Sequence, residues 1–219
     1  MSIKETLTNI NDSLPKEVTL VAVSKTKPIE TIMEAYEAGQ RVFGENKIQE
    51  MAQKWEQLPK DIEWHMIGHV QRNKVKYMAE FVSLIHGVDS LRLLVEIDKQ
   101  AKKHKRVIPC LLQMHIAEES TKFGLDEQEL HEMISSETFA QLEHVQIKGL
   151  MGMATLTEDQ NQIRKEFAHL KFIFDKVQDQ LSNISVLSMG MSGDYSIAIK
   201  EGSTMVRIGS SIFGARNYN

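Results

Sequence analysis

Lys25 stands directly after the apolar run TLVAV, within the stretch AVSKTKP. An amine at that address has an apolar stem behind it. Beside low-dielectric walls or other cations it loses part of its basicity and becomes a competent nucleophile, able to condense with an aldehyde and form an imine. A strand-end lysine that snorkels to solvent is the plainer alternative, and Lys25 alone leaves both open. Lys27, beside Pro28, reads as a solvent-facing or anion-steering charge. Two other stretches combine glycine with serine: Gly190-Met191-Ser192-Gly193-Asp194 and Gly209-Ser210-Ser211. Small residues let backbone N–H groups approach an anion closely, and the hydroxyls of Ser192, Ser210 and Ser211 add donors. Either loop alone would serve equally as a turn or a helix cap; the two together favour a phosphate. Arg207 lies inside the apolar run MVRIG, where a guanidinium is costly unless it is paired, hydrogen-bonded or turned toward a ligand cavity. The cavity is the preferred reading. His65 and His69 have the spacing of one helical turn, yet no clear carboxylate accompanies them and a metal site is not favoured.

Bringing these residues together sets requirements on the scaffold. Eight apolar runs bounded by turn residues recur along the chain: TLVAVSK (19–25), RVFGE (41–45), EWHMIG (63–68), SLIHGV (83–88), PCLLQMHI (109–116), IKGLMGM (147–153), SVLSMG (185–190) and MVRIGSSIF (205–213). Several are continuously apolar, as strands buried on both faces of a parallel sheet should be. The intervals carry helical periodicity. Pro28, then Ile29, Ile32, Met33 and Tyr36, then Gly39 describe a helix with proline near its start and glycine past its end. From Thr157 to Leu181 the positions Ile163, Phe167, Leu170, Phe174, Val177 and Leu181 form one apolar stripe. Such alternation predicts an α/β fold, a single-domain TIM (β/α)8 barrel over residues 1–219, with a doubly wound open sheet as the competitor. In that barrel the strand C-termini build the site, which is where Lys25, Asn46, Ser192 and Ser210 fall. Too few residues follow the eighth run for a full eighth helix, so the segment around Ile3, Leu7 and Ile10 is expected to cover that part of the wall.

Composition bounds the function. The 219 residues are 42% apolar and 26% charged, ordinary values for one soluble globular core. A formal charge of -4 gives no global pull toward nucleic acid or an anionic membrane. The basic stretch KQAKKHKR, from Lys99 to Arg106, lacks interleaved aromatics and reads as a solvated helix end. Neither a leader sequence nor a membrane-length apolar segment is evident, which points to the cytoplasm. The single cysteine, Cys110 in VIPCLLQMHI, excludes an internal disulfide or cysteine-based zinc and reads as a buried strand residue.

Several of these motifs occur together: AVSKTKP, FGEN followed by QE, WHMIG, TKFG, KGLMGM, LSMGMS and the tail GSTMVRIGSSIFGAR, from about residue 18 to 216. In this combination the chain closely resembles the pyridoxal phosphate homeostasis protein family, single-domain relatives of the alanine racemase N-terminal barrel. The resemblance implies that Lys25 forms an aldimine with pyridoxal 5′-phosphate. It implies that Ser192 with the adjoining Met191, and Ser210 with the adjoining Gly209, form the phosphate cradle; relatives often have threonine at the Ser210 position. Asn46 resembles a residue lining the cofactor. Arg207 corresponds to an arginine near the pyridine nitrogen, where its permanent charge would disfavour ring protonation and weaken the ring as an electron sink. His69 sits at a position that varies among relatives.

The implied role is intracellular buffering of pyridoxal phosphate and vitamin B6, with hand-over to apo-enzymes, no turnover, no metal and no nucleic-acid partner, by a chain expected to be a monomer. Alanine racemases use a tyrosine supplied by a C-terminal domain across a dimer, and this chain ends at Asn219; Tyr77, Tyr195 and Tyr218 lie in no recognised catalytic motif. The rival reading is a pyridoxal-phosphate-dependent racemase or lyase using Lys25 as base. A third, more remote, is a cofactor-free Schiff-base aldolase holding a sugar phosphate.

Overall fold

In the computed structural model, which describes residues 2–119, 123–181 and 183–214, every apolar run begins a strand. The strands are β1 (Thr19–Val23), β2 (Val42–Glu45), β3 (Glu63–Met66), β4 (Leu84–Val88), β5 (Ile108–Gln113), β6 (Val145–Met151), β7 (Val186–Met191) and β8 (Met205–Ile208). Each pairs in parallel with the next, and β8 closes on β1 with Val21 opposite Arg207. Thr121 and Lys122 of TKFG, and Tyr218, lie outside the described residues.

Helices α1 (Ile3–Ser13), α2 (Ile29–Glu37), α3 (Ile48–Gln57), α4 (Leu91–Lys103), α5 (Glu127–Ile134), α6 (Glu137–Ala140), α7 (Gln160–Val177), α8 (Tyr195–Lys200) and α9 (Ser210–Phe213) surround the barrel. Their boundaries follow from capping chemistry. Pro28 precedes α2, and Gly39 beyond its end takes φ +101°, a conformation that costs glycine nothing. Asp159 accepts from the backbone N–H groups of Asn161 and Gln162, so α7 starts three residues later than the periodicity alone suggests. Its Ile163, Phe167, Leu170, Phe174 and Val177 are all buried. Helix α1, opened by a reciprocal Ser2–Glu5 capping box, buries Leu7 and Ile10 and packs against α2 and α9, covering the wall that the short C-terminal helix leaves open.

Two segments depart from the sequence pattern. The run 205–213 is a strand only to Ile208; Gly209 turns the chain and the apolar Ile212 and Phe213 are buried on α9 instead. Between β3 and β4 stands a 3-10 helix, Arg72–Tyr77, in place of an amphipathic α-helix. Val75 is its one buried residue, so this segment has no apolar stripe for a longer helix to bury.

Strand parity divides the interior. Phe43, Trp64, Met66, Ile85, Cys110 and Leu112 face outward into a core shared with the helices. Val21, Leu84, Leu111, Met151 and Met205 face inward and plug the barrel. Because side chains alternate along a strand, the residues two positions further on return to the inner side: Val23 on β1, His86 on β4, Gln113 on β5 and Arg207 on β8. An apolar floor thus supports a polar layer directed at the C-terminal mouth.

Candidate cofactor site

The mouth encloses a cavity of about 550 Å3. Lys25, Asn46, Met191, Ser192, Arg207, Gly209 and Ser210, the residues singled out in the sequence, all line it, together with Lys27, Gln113, His69 and Phe123. They come from the ends of β1, β2, β3, β5, β7 and β8 and the loops that follow, as the barrel geometry requires. Ser211, on the first turn of α9, is exposed and does not line the cavity.

Lys25 sits at the corner of a tight turn, closed by a hydrogen bond from the Lys27 N–H to the Ser24 carbonyl at 3.0 Å. Thr26 takes φ +64° there, a left-handed conformation that costs a side-chain-bearing residue on the order of 1 kcal/mol. A charged network behind the turn holds it. Lys54, buried on α3, donates from Nζ to the Ser24 carbonyl at 2.9 Å, to Glu45 Oε1 at 2.7 Å and to Glu50 Oε1 at 2.7 Å. The Ser24 hydroxyl donates to Glu45 Oε1 at 2.6 Å, and the Thr26 N–H to Glu50 Oε1 at 2.6 Å. The residues on both sides of Lys25 are therefore anchored by one helix. Glu45 is fully buried and its Oε2 has no hydrogen-bond partner; burial pushes its carboxyl up to about 7 despite the pull of Lys54. Lys27 is not a simple surface charge: its Nζ donates to the carbonyls of Phe213 at 2.8 Å and Gly214 at 3.3 Å, tying the β1 turn to the end of α9.

Two strands round the barrel from Lys25, the β7 loop folds tightly. The Met191 N–H donates to Asp194 Oδ1 at 2.5 Å and the Asp194 N–H returns to the Met191 carbonyl at 3.1 Å. Ser192 Oγ accepts from the Gly209 N–H at 3.3 Å, bridging the two serine–glycine loops. Asn46 reaches the rim because Gly68 leaves room: a Cβ there would meet the Asn46 carbonyl oxygen at 2.5 Å. Alanine at that position would push the β2 and β3 loops apart.

Arg207 is 3% exposed and faces inward as expected, but it is also hydrogen-bonded to the wall. Nη1 donates to the Ser188 carbonyl at 2.9 Å and to Ser188 Oγ at 2.6 Å, and Nη2 to the Gly152 carbonyl at 3.1 Å. Burial pulls its pKa down to about 10, opposed by the nearby Asp194, so it stays charged at neutral pH. Beneath it, His86 Nδ1 lies 3.1 Å from Ser188 Oγ and His86 Nε2 lies 3.1 Å from His65 Nδ1. Sequence reasoning missed His86 and Ser188; the available signal was parity, since each is a polar residue two positions beyond an inward apolar one, Leu84 and Val186.

His65 and His69 do not converge. His65 is buried against His86, whereas His69 stacks on Phe123 at 4.1 Å between ring centres and lies 3.3 Å from Asp89 at the mouth. Among the described residues no cluster of three potential metal ligands occurs. Lys99 to Arg106 form the exposed end of α4 and its cap, apart from buried Gln100 and Ala101 and from Arg106, which donates to the carbonyls of Ala79 and Val82. Cys110 is buried, and burial pushes its thiol up, away from reactivity. No described helix is long and apolar enough to cross a membrane.

The buried ionisable groups make stability depend on pH in opposite directions. Burial lowers His65 to about 3 and lowers His86 as well, the latter with help from the charges of His65 and Arg207. Their contribution is present above the unfolded value of 6.5 and is lost as pH falls from there, because the unfolded chain takes up protons first. Glu45 works in the other sense: its contribution is fully present below 4.5 and is lost as pH rises toward about 7. The two partly cancel between 4.5 and 6.5 and only the histidines act below that range. Urea midpoints should therefore fall gently from pH 6.5 to 4.5, where two histidines outweigh one carboxyl, and more steeply beneath it, and His86→Gln should flatten both parts. An unaltered profile in that variant would contradict the assignment.

The chain matches the family described as alanine racemase, N-terminal domain, over residues 1–217. It is 39% identical over 210 residues to the pyridoxal phosphate homeostasis protein of Vibrio alginolyticus, covering 94% of this chain and 89% of that one. The protein of the same name from Aquifex aeolicus (strain VF5) is 41% identical over 202 residues, covering 91% and 87%. Among solved structures, PipY of Synechococcus elongatus PCC7942 with PLP bound superposes with a TM-score of 0.89 at 37% identity, over 97% of this chain and all of that one (100%). Alanine racemase of Clostridium difficile 630 shares the fold, with a TM-score of 0.80 at 16% identity over 58% of its length. A closed barrel, the motif set gathered at its mouth and identities of this size over nearly the whole length place the chain in the pyridoxal phosphate homeostasis protein family.

Proposed function

We propose that this chain, acting as a single barrel domain over residues 1–219, binds pyridoxal 5′-phosphate through a Schiff base on Lys25 and serves intracellular homeostasis of that cofactor. The observation that carries the reading is the convergence of one lysine, one arginine and two serine–glycine loops on a single cavity. The Lys25 amine adds to the aldehyde and the carbonyl oxygen leaves as water, so the linkage is reversible and needs no further reactant. Ser192, Ser210 and the backbone about Met191 and Gly209 supply donors for the phosphate, and Asn46 lines the rim. Arg207, an obligate donor, would meet an unprotonated ring nitrogen. When bound, the cofactor supplies an electrophilic aldehyde and a conjugated ring; an uncharged ring nitrogen makes that ring a poor electron sink.

That last property favours storage over carbanion chemistry, and the reading has a cytoplasmic monomer release the cofactor to apo-enzymes that need it. Adding pyridoxal phosphate should produce the visible band of an internal Schiff base, and borohydride should fix a pyridoxyl group on the peptide containing Lys25. A protein that stays colourless would overturn the cofactor reading. Carrier and enzyme separate in deuterium oxide: with single amino-acid enantiomers, α-proton exchange no faster than with free pyridoxal phosphate is expected, and faster exchange would restore a racemase using Lys25 as base.

A further inference from the structure

Arg207, Ser188, His86 and His65 come from β8, β7, β4 and β3 and meet in the polar layer beneath the cavity. Their protons can be placed by elimination. A guanidinium has donors only, so Ser188 Oγ, 2.6 Å from Arg207 Nη1, must accept from it. Its second lone pair could accept from His86, but the buried hydroxyl also has one proton to give, and His86 Nδ1, 3.1 Å away, is the acceptor that satisfies it. His86 Nδ1 is then an acceptor, its own proton sits on Nε2, and that proton points to His65 Nδ1 at 3.1 Å. His65 in turn carries its proton on Nε2. Every link runs one way, from the arginine inward.

We propose that Ser188 and His86 are positioning residues for the cofactor ring: through this one-way chain they orient Arg207, so that its remaining donors face the cavity. The inference rests on the preceding reading, in which the ring nitrogen lies at Arg207. Both Nη1 protons and one Nη2 proton are committed to the Ser188 carbonyl, the Ser188 hydroxyl and the Gly152 carbonyl. The second Nη2 proton and the Nε proton are left for the cavity that Arg207 lines. No member of the chain is a carboxylate, so none of its members offers the ring a proton; Asp194, the carboxylate whose charge reaches Arg207, is held in the β7 loop by the Met191 N–H. A cation on His86 would point a second charged donor at Ser188 Oγ; burial beside Arg207 and His65 works against that cation. A neutral, directional chain holds the arginine without consuming its charge.

The chain can be tested without cofactor. Nitrogen-15 spectra of the imidazoles at neutral pH should show His86 and His65 both as the Nε2–H tautomer, and a His86 proton on Nδ1 would overturn the proposal. Its function is tested with two ligands, pyridoxal phosphate and its 1-deaza analogue, in which a C–H replaces the ring nitrogen. Ser188→Ala removes the hydroxyl while the backbone carbonyl still accepts from Arg207. It should weaken pyridoxal phosphate about tenfold, the scale of one hydrogen bond to a charged group, and shift the visible band of the loaded protein. The analogue should bind wild type and variant alike, and Ser188→Thr should restore the wild-type preference. Equal losses for both ligands would reduce Ser188 to a structural role and overturn the inference alone. Failure of the wild-type chain to bind pyridoxal phosphate at all would instead sink the cofactor reading itself.

Discussion

Lys25→Ala should leave a folded protein that no longer takes up pyridoxal phosphate covalently. Borohydride treatment of the loaded wild type should label the peptide carrying Lys25, and the same treatment of the variant should label nothing in that peptide. The fold should survive because the turn does not depend on the Lys25 side chain. Ser24 is fixed through its hydroxyl and its carbonyl, and Thr26 through its N–H, all to residues of β2 and α3. Truncating a half-buried side chain on an otherwise anchored turn should change stability by less than about 1 kcal/mol. The proposed phosphate donors, Ser192 and Ser210, still line the cavity, so weak non-covalent binding should persist and be competed by inorganic phosphate. Lys27 also lines the cavity, but its amine is engaged by the Phe213 and Gly214 carbonyls; an adduct on Lys27 in the variant would mean that either lysine can serve. Loss of the folded state would assign Lys25 a structural part.

Much of the fold and of the candidate site is legible in the sequence. The strands announced themselves because a parallel barrel buries both faces, leaving continuous apolar runs such as TLVAV and PCLLQ. Lys25, Ser192 and Ser210 are legible as lining residues because the fold confines its site to strand ends, and Arg207 because a guanidinium inside an apolar run needs partners or a cavity. What stayed hidden depends on contacts that no local pattern encodes. His86 and Ser188 are separated by 102 positions, and within SLIHGV and SVLSMG each looks like a lone polar residue in a strand. Only closure of the barrel brings them under Arg207. Lys54 is subtler: in the amphipathic stretch IQEMAQKWEQ it reads as one more solvent-facing charge, yet it is buried between α3 and β2 with Glu45 beneath it. Its register on the helix follows from packing, and packing is what periodicity leaves undetermined between neighbouring helix faces.

That buried lysine should be the most sensitive position for folding. Lys54→Met keeps the stem but removes the ammonium that faces both Glu45 Oε1 and Glu50 Oε1, leaving one carboxylate fully buried and a second partly so. Breaking a buried ion pair from one side typically costs about 3–5 kcal/mol, which for a chain of this length lowers the melting temperature by about 10 °C. Glu45, already pushed up to about 7 by burial, would rise further without its cation and take up a proton, relieving part of the loss. The sign of the pH dependence follows. Below the ordinary value of 4.5, Glu45 is neutral in folded and unfolded chains alike and the variant should lie closest to wild type; the deficit should widen as pH rises. Glu45→Gln in the Lys54→Met background should recover stability, because an amide removes the charge that has lost its partner, and the double variant should be more stable than the sum of the two single effects predicts. The same variants should load cofactor more slowly, since the Ser24 carbonyl that anchors the Lys25 turn loses its ammonium donor. A variant that melts at the wild-type temperature and loads at the wild-type rate would show that the turn is held without Lys54.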